Sequence, residues 1–241
     1  MNPRTLSIVI AICIGVVSST ASAHYLWVTI DKNAGTHGTT NIYFEGGPGP
    51  GDGHYLDPFV ECGKTWIRTV DAIKPVEIKT KDVMESEKRW LSAELPESAP
   101  RSIDSYGKWG VYRYGETDVL LHYYARHLDV ESHDDLHELG RAEQMALDIV
   151  PHETSGVMEL TVLWQGKPAA NRTVSVRGPK GMKENLKTDE KGMAQFKIGE
   201  KGQYILKTNV EEKDNKGTFE GKDYDMVRHH ATMILTLPLD G

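Results

Sequence analysis

The sequence holds 241 residues, with 28 Lys and Arg against 35 Asp and Glu, a formal charge of −7 and a pI near 5.8. That acidic balance offers no footprint for a polyanion and argues against nucleic acid as a partner. Hydrophobic residues make up 39% and cysteine occurs only at Cys13 and Cys62, so stability has to come from packed cores rather than a disulfide framework.

The first element in chain order is a targeting segment. Arg4 is followed by the apolar run "TLSIVIAICIGVV" (5–17), then small residues ending in Ala21-Ser22-Ala23. This is the pattern of an export signal cleaved after Ala23, which predicts a periplasmic or secreted protein whose mature chain begins at His24. Ile12 before Cys13 does not fit a lipid-attachment site. The apolar run falls short of the roughly 20 residues of a membrane helix, and no later stretch is long and uncharged enough, so no membrane span is expected in the mature chain.

From His24 onward the pattern is mostly period two. "HYLWVTI", "TNIYFEG", "KTWIRTVD", "KPVEIKT", "DVLLHYYARHL", "VMELTVLWQG", "RTVSVRG", "MAQFKIG", "GQYILKTNV" and "HHATMILTLPL" are short runs of β-branched and aromatic residues bounded by Gly, Pro, Asn or Asp, which predicts an all-β fold. "GGPGPGDG" (46–53) is a loop. "DVESHDDLHELGRAEQMALDIV" (129–150) is the exception: its acidic first half suits a loop or helical turn before a strand resumes. Pro151, in "DIVPHETSG", marks a candidate boundary. The expected organisation is two β-sandwich domains, 24–150 and 151–241, with turns at Gly166-Lys167-Pro168 and around Asp189 and Gly192 in the second.

The arrangement of "AHYLWV", "ALDIVP", "LTVLWQGKPAANRTVSV", "TDEKGMAQFKI" and "GKDYDMVRHHATMILTL" resembles the DUF4198 family, also described as nickel-transport-associated, NikM-like periplasmic proteins. The resemblance spans nearly the whole mature chain and is densest over 139–237. It implies a secreted β-sandwich protein connected with transition metals, a C-terminal domain of the transthyretin-like, carboxypeptidase-regulatory-like kind, and a membrane metal transporter as partner. The strand-and-turn motifs are shared with other sandwiches of that kind, whereas their coupling to a mature N-terminal histidine is more specific.

The residues point to metal by a separate route. An N-terminal histidine offers its α-amine and imidazole Nδ1 to one ion. One more imidazole completes a three-nitrogen histidine brace, suited to tetragonal Cu(II) or Ni(II). His24 is that candidate, and Cu, Ni or Co the expected ion. Alternation in "VRHHATMILTL" places His229 on the apolar face and His230 on the other; His229, with His230 as the fallback, is the expected partner of His24. A histidine at the start of such a strand also fits a satisfied core residue. His122 and His127 fall on opposite faces of one strand, so at most one of them faces a given pocket, and His54, after the glycine-rich loop, is placed to fold over a site. His133 and His137, four apart with Asp134 and Asp135 between them, share a face on a helix, but the Glu that a zinc protease carries after its first His is missing. Cys62 is open to reading as a thiol nucleophile or a soft copper ligand, but a lone cysteine near a strand start reads first as a small buried hydrophobe.

No nucleophile elbow, P-loop or dinucleotide fingerprint occurs. Three functions follow. One is a periplasmic metal-binding protein for capture or delivery of Ni, Co or Cu. Another is a copper-dependent oxidative enzyme of the polysaccharide-oxidising kind, using the same brace and an exposed aromatic face. The third is a non-catalytic adhesion or carbohydrate-binding sandwich in which the histidines are incidental.

Overall fold

The computed structural model describes residues 24–239; the expected export signal, residues 1–23, lies outside the described residues, as do 240 and 241. The first half runs β1 (Tyr25–Asp31), β2 (Thr39–Glu45), the short helix α1 (Asp57–Cys62), β3 (Lys64–Thr69), β4 (Val76–Ile78), β5 (Lys81–Glu85), β6 (Lys88–Glu94), and the long pair β7 (Arg101–Tyr114) and β8 (Thr117–Asp129). Then come α2 (His133–Leu139), β9 (Leu147–Thr154), β10 (Val157–Trp164), β11 (Lys167–Pro168), β12 (Thr173–Arg177), β13 (Lys183–Lys187) and β14 (Met193–Lys197). The chain closes with β15 (Gly202–Glu212), the hairpin β16 (Gly217–Phe219) and β17 (Lys222–Tyr224), and β18 (Met226–Leu237). The all-β expectation holds.

The strands stack in three layers. An eight-stranded sheet, β13-β12-β15-β18-β8-β7-β3-β4, lies in the middle. On one side sits β1-β2-β6-β5, and on the other β9, β10, β11 and β14. Side-chain alternation in the middle sheet assigns residues to layers. Leu121, Tyr123 and Ala125 of β8 join Leu26, Val28, Ile42 and Phe44 of the first outer sheet in one core. Tyr124 and Leu128, with Ala231, Met233 and Leu235 of β18, join Ile149, Leu160, Val162 and Phe196 of the second outer sheet in another. The molecule is thus two β-sandwiches sharing a central sheet.

Position 151 lies inside β9, where Pro151 pairs with Leu160, rather than at a strand end. The strands before and after α2 meet edge to edge in the middle sheet, where β18 runs parallel to β8 over Met226–Leu235.

Two helices punctuate the strands. The acidic run folds as α2 because Ser132 and Asp135 form a capping box, each side chain bonding the other's backbone N–H, while Leu136 and Leu139 are buried beneath it. α2 is also tied down from below. The buried Arg126 guanidinium donates to Asp104 (2.9 Å) and Asp148 (2.7 Å) and to the carbonyls of Leu139 (2.9 Å) and Gly140 (2.7 Å). α1, which periodicity did not indicate, closes one end of the first core through Leu56 and Phe59.

Candidate functional site

The parallel register of β18 on β8 sets His229 directly beside His122 and His230 beside Tyr123. Each histidine of the "HH" pair therefore falls in a different layer.

His229 and His122 face the second outer sheet. Their ring centroids are 4.7 Å apart, and the Trp164 ring lies 4.3 Å from His229. Tyrosine hydroxyls meet Nδ1 of both rings: Tyr106 at 2.9 Å from His122 and Tyr124 at 3.3 Å from His229. On its other nitrogen, Nε2, His229 donates to Glu212 Oε1 at 3.0 Å. Burial pushes His122 down to about 3, with the neighbouring His229 and Lys108 adding to the effect. It lowers His229 too, opposed by Glu212. Both imidazoles are neutral at ordinary pH.

On the opposite face, the His230 ring stacks on Tyr123 (5.0 Å) and meets Tyr25 edge-on (5.4 Å). Its Nδ1 is buried without a hydrogen-bond partner among the described residues, and burial lowers its pKa to about 3. His127 is buried on this side as well. Its Nδ1–H donates to the Val28 carbonyl at 3.3 Å, which makes it a satisfied core histidine pinning β1 to β8.

His24, ahead of β1, sits at the rim of the first core. Its imidazole packs 5.8 Å from Phe44 and edge-on to Tyr55 at 5.1 Å, with Nε2 3.8 Å from Glu45 Oε2. The exposed His54 meets the same Tyr55 ring at 4.5 Å. The glycine-rich loop is held against this corner by Glu45, whose Oε1 accepts from Gly53 N at 3.3 Å.

The expected pairing of His24 with His229 does not form. Adjacency of β1 and β18 does: Thr232 Oγ1 donates to the Leu26 carbonyl at 2.6 Å. Yet His229 projects from the far face of the middle sheet, while successive residues of β1 point opposite ways, so Tyr25 rather than His24 reaches His230. The histidine that shares a ring neighbour with His24 is His54, since both pack on Tyr55. Cys62 is likewise corrected: it ends α1 as an exposed free thiol, donating to the Pro58 carbonyl at 2.9 Å. His133 and His137 sit on exposed turns of α2.

Reading the sequence missed Glu45, Tyr55, Tyr106 and Glu212. Nothing local marks them; Glu212 reaches His229 only because β15 pairs with β18 in the register Val210↔His229. Among the described residues, no three His, Cys, Asp or Glu side chains already surround one point as a metal site. At His24, the described side chains supply an imidazole and the Glu45 carboxylate. The α-amine exists only once the chain is cut after Ala23, so the donor set fits an ion only in that form.

No protein-family profile and no curated protein matches the chain. Among solved structures, it is similar to the FN1–FN3 domains of chicken CNTN1, at 12% identity over 90% of this chain and 67% of that one, TM-score 0.22. It is also similar to a pullulanase from Anoxybacillus complexed with maltotriose, at 9% identity over 77% and 24% of the two chains, TM-score 0.19. A third is the BSP domain of a biofilm associated protein, at 10% identity over 89% and 52%, TM-score 0.20. The chain spans only part of the length of the last two, and likenesses this weak bear on no activity.

Proposed function

We propose that the chain is an exported transition-metal-binding protein of the DUF4198 kind, capturing or delivering Cu, Ni or Co, with His24 as the anchoring ligand. The observation that supports this reading is the corner where His24 lies 3.8 Å from Glu45 and both His24 and His54 pack on Tyr55. Cleavage after Ala23 adds an amine there, and the amine with Nδ1 of the same residue closes a chelate ring. His54, on the loop that Glu45 anchors, supplies the second imidazole. The amine has to shed a proton, with a pKa of about 7.7 to 8.0, so affinity falls as pH drops below that range. The test is calorimetric titration of the mature chain with Cu(II) and Ni(II), beside a form carrying one extra residue before His24. The expected result is a loss of about tenfold or more at this site on extension, comparable to losing a supporting ligand, and none on His133→Ala. Unchanged affinity on extension, with binding abolished by His133→Ala, overturns it.

A copper-dependent oxidative enzyme is the second reading, supported by a row of aromatic rings running from this corner. Tyr55, Tyr112 and Tyr114 are 38%, 45% and 41% exposed. Trp109 links Tyr55 to Tyr112 at centroid spacings of 6.0 and 5.9 Å, and Tyr114 lies 4.8 Å from Tyr112. Consumption of reductant with oxygen or peroxide by the copper-loaded protein separates this reading from the first.

A further inference from the structure

We infer that the outward face of β12, β13 and β15 binds an acidic polysaccharide whose charges are carboxylates. Lys207 and Arg177 are its principal anchors, and Lys183 and Lys187 lengthen the track. The inference is independent of the proposal for His24 and shares no residue with that corner.

The acidic balance of the chain, −7 overall, is reversed on this face. Val174, Val176 and Leu206 belong to the second core, with Leu186 packed against it, so alternation turns the odd-numbered residues of the same strands to the other side. Register then sets Arg177 opposite Lys183, Thr173 opposite Lys187, and Ser175 between Asn185 and Lys207. These rows hold four cations and no carboxylate. Glu211, the nearest acid along β15 on this face, bonds Arg228 at 2.8 Å. Among the described residues none of the four cations is in an ion pair. Folding alone does not account for them: like charges directly opposite on adjacent strands are destabilising. Lysines on the edge strand β13 guard against edge pairing, but Arg177 and Lys207 lie on inner strands.

The second observation is a cavity of about 130 Å³ on the same face, lined by Tyr25, Thr173, Ser175, Lys207, Thr208 and Asn209. Lys207 Nζ is held 4.1 Å over the Tyr25 ring, a cation–π contact that fixes the ammonium in place. Burial and the neighbouring Arg177 push its pKa down, and an entering carboxylate counters both effects. The charges are interleaved with amides and hydroxyls: Asn185 separates Lys183 from Lys187, and Asn209 follows Lys207. That spacing complements a sugar chain with carboxylates set among hydroxyls, and Arg177 offers the planar fork that holds a carboxylate at two points. Duplex DNA, at one charge per about 1.7 Å, presents a denser line of charge without matching hydroxyls. A bilayer needs an apolar face, which the exposed residues of β12 and β13 lack.

The experiment titrates the mature chain, free of added metal, with oligogalacturonate and with the same oligomer methyl-esterified, followed by calorimetry. The expected result is binding of the free acid, weakening as salt rises, and no binding of the ester. Lys207→Gln should weaken binding about tenfold. The exposed Lys183→Gln and Lys187→Gln should each weaken it about two- to fivefold with the thermal midpoint unchanged, which separates ligand loss from unfolding. Lys191→Gln makes the same charge change in the turn before β14 and should leave binding as it was. Equal binding of acid and ester, binding of neither, or a loss at Lys191→Gln matching that at Lys183→Gln overturns the inference and leaves the His24 reading standing. Tighter binding of single-stranded DNA or of phosphatidylglycerol vesicles, lost in the same variants, overturns it too and gives the face to a different polyanion.

Discussion

Gly107 shows how tightly single residues are constrained around the site. It sits in β7 under α1, and a Cβ there would lie 2.3 Å from Phe59 Cδ1. Gly107→Ala is therefore expected to cost about 1–3 kcal/mol by overpacking, read as a lower denaturant midpoint with unchanged slope. His127 makes a prediction of the other kind. Burial pushes it down to about 4, partly offset by Asp129 and the Val28 hydrogen bond, while Lys32 and Arg101 lower it further. The unfolded chain takes up a proton at this residue below about pH 6.5, whereas the folded chain stays neutral until about 4. Stability is then complete above about pH 6.5 and declines through the window down to about 4, because the unfolded state binds more protons there. Denaturation at pH 7 and pH 5 is expected to show a smaller drop for His127→Asn than for the parent. An equal drop in both would assign the acid sensitivity to other histidines.

At the scale of elements, α2 depends on its cap and on the charge beneath it. Ser132→Ala removes the hydroxyl that accepts from Asp135 N at 3.1 Å and is expected to cost about 1 kcal/mol. Metal stoichiometry should not change, since His133 and His137 lie outside the proposed His24 site. Arg126→Met is more severe. Among the described residues it strips the only cation bonding to Asp104 and Asp148, and removing one partner of a buried ion pair costs about 3–5 kcal/mol. Burial already raises the Asp148 carboxyl. Without Arg126 the raised Asp148 carboxyl favours the protonated native state, so the deficit of the variant should shrink as pH falls from 7 toward 5. A deficit that grows on acidification would show that the loss lies in packing instead.

The whole molecule is held together by the β18–β8 junction. The strands before and after α2 are joined edge to edge there, and the second core takes Leu136 and Leu139 of α2 together with Met233 and Leu235 of β18. Calorimetry is expected to give a single transition, and a chain ending at residue 150 should fail to give a cooperative melt, because it leaves the β8 edge and the lower face of α2 uncovered. Two resolved transitions, or an independently folded 24–150 fragment, would indicate separable halves.

Alternation by itself determined the all-β character, most of the strands and the division of faces: His229 from His230, and His122 from His127. These follow from the period of two, which is local. The turn before β14 was equally legible, because Asp189 accepts from the backbone N–H groups of Lys191 and Met193 within its own loop. Only the tertiary structure decided which histidines meet. His122 and His229 are 107 positions apart in the chain and become neighbours through strand register, which the pattern of apolar residues constrains by face but not by partner strand. The same holds for Glu212 and Glu45, whose roles arise across strand pairs. The runs "HYLWVTI" and "HHATMILTL" each open on a histidine with the same alternation, and nothing local told that His24 and His229 would fall on opposite sides of the middle sheet.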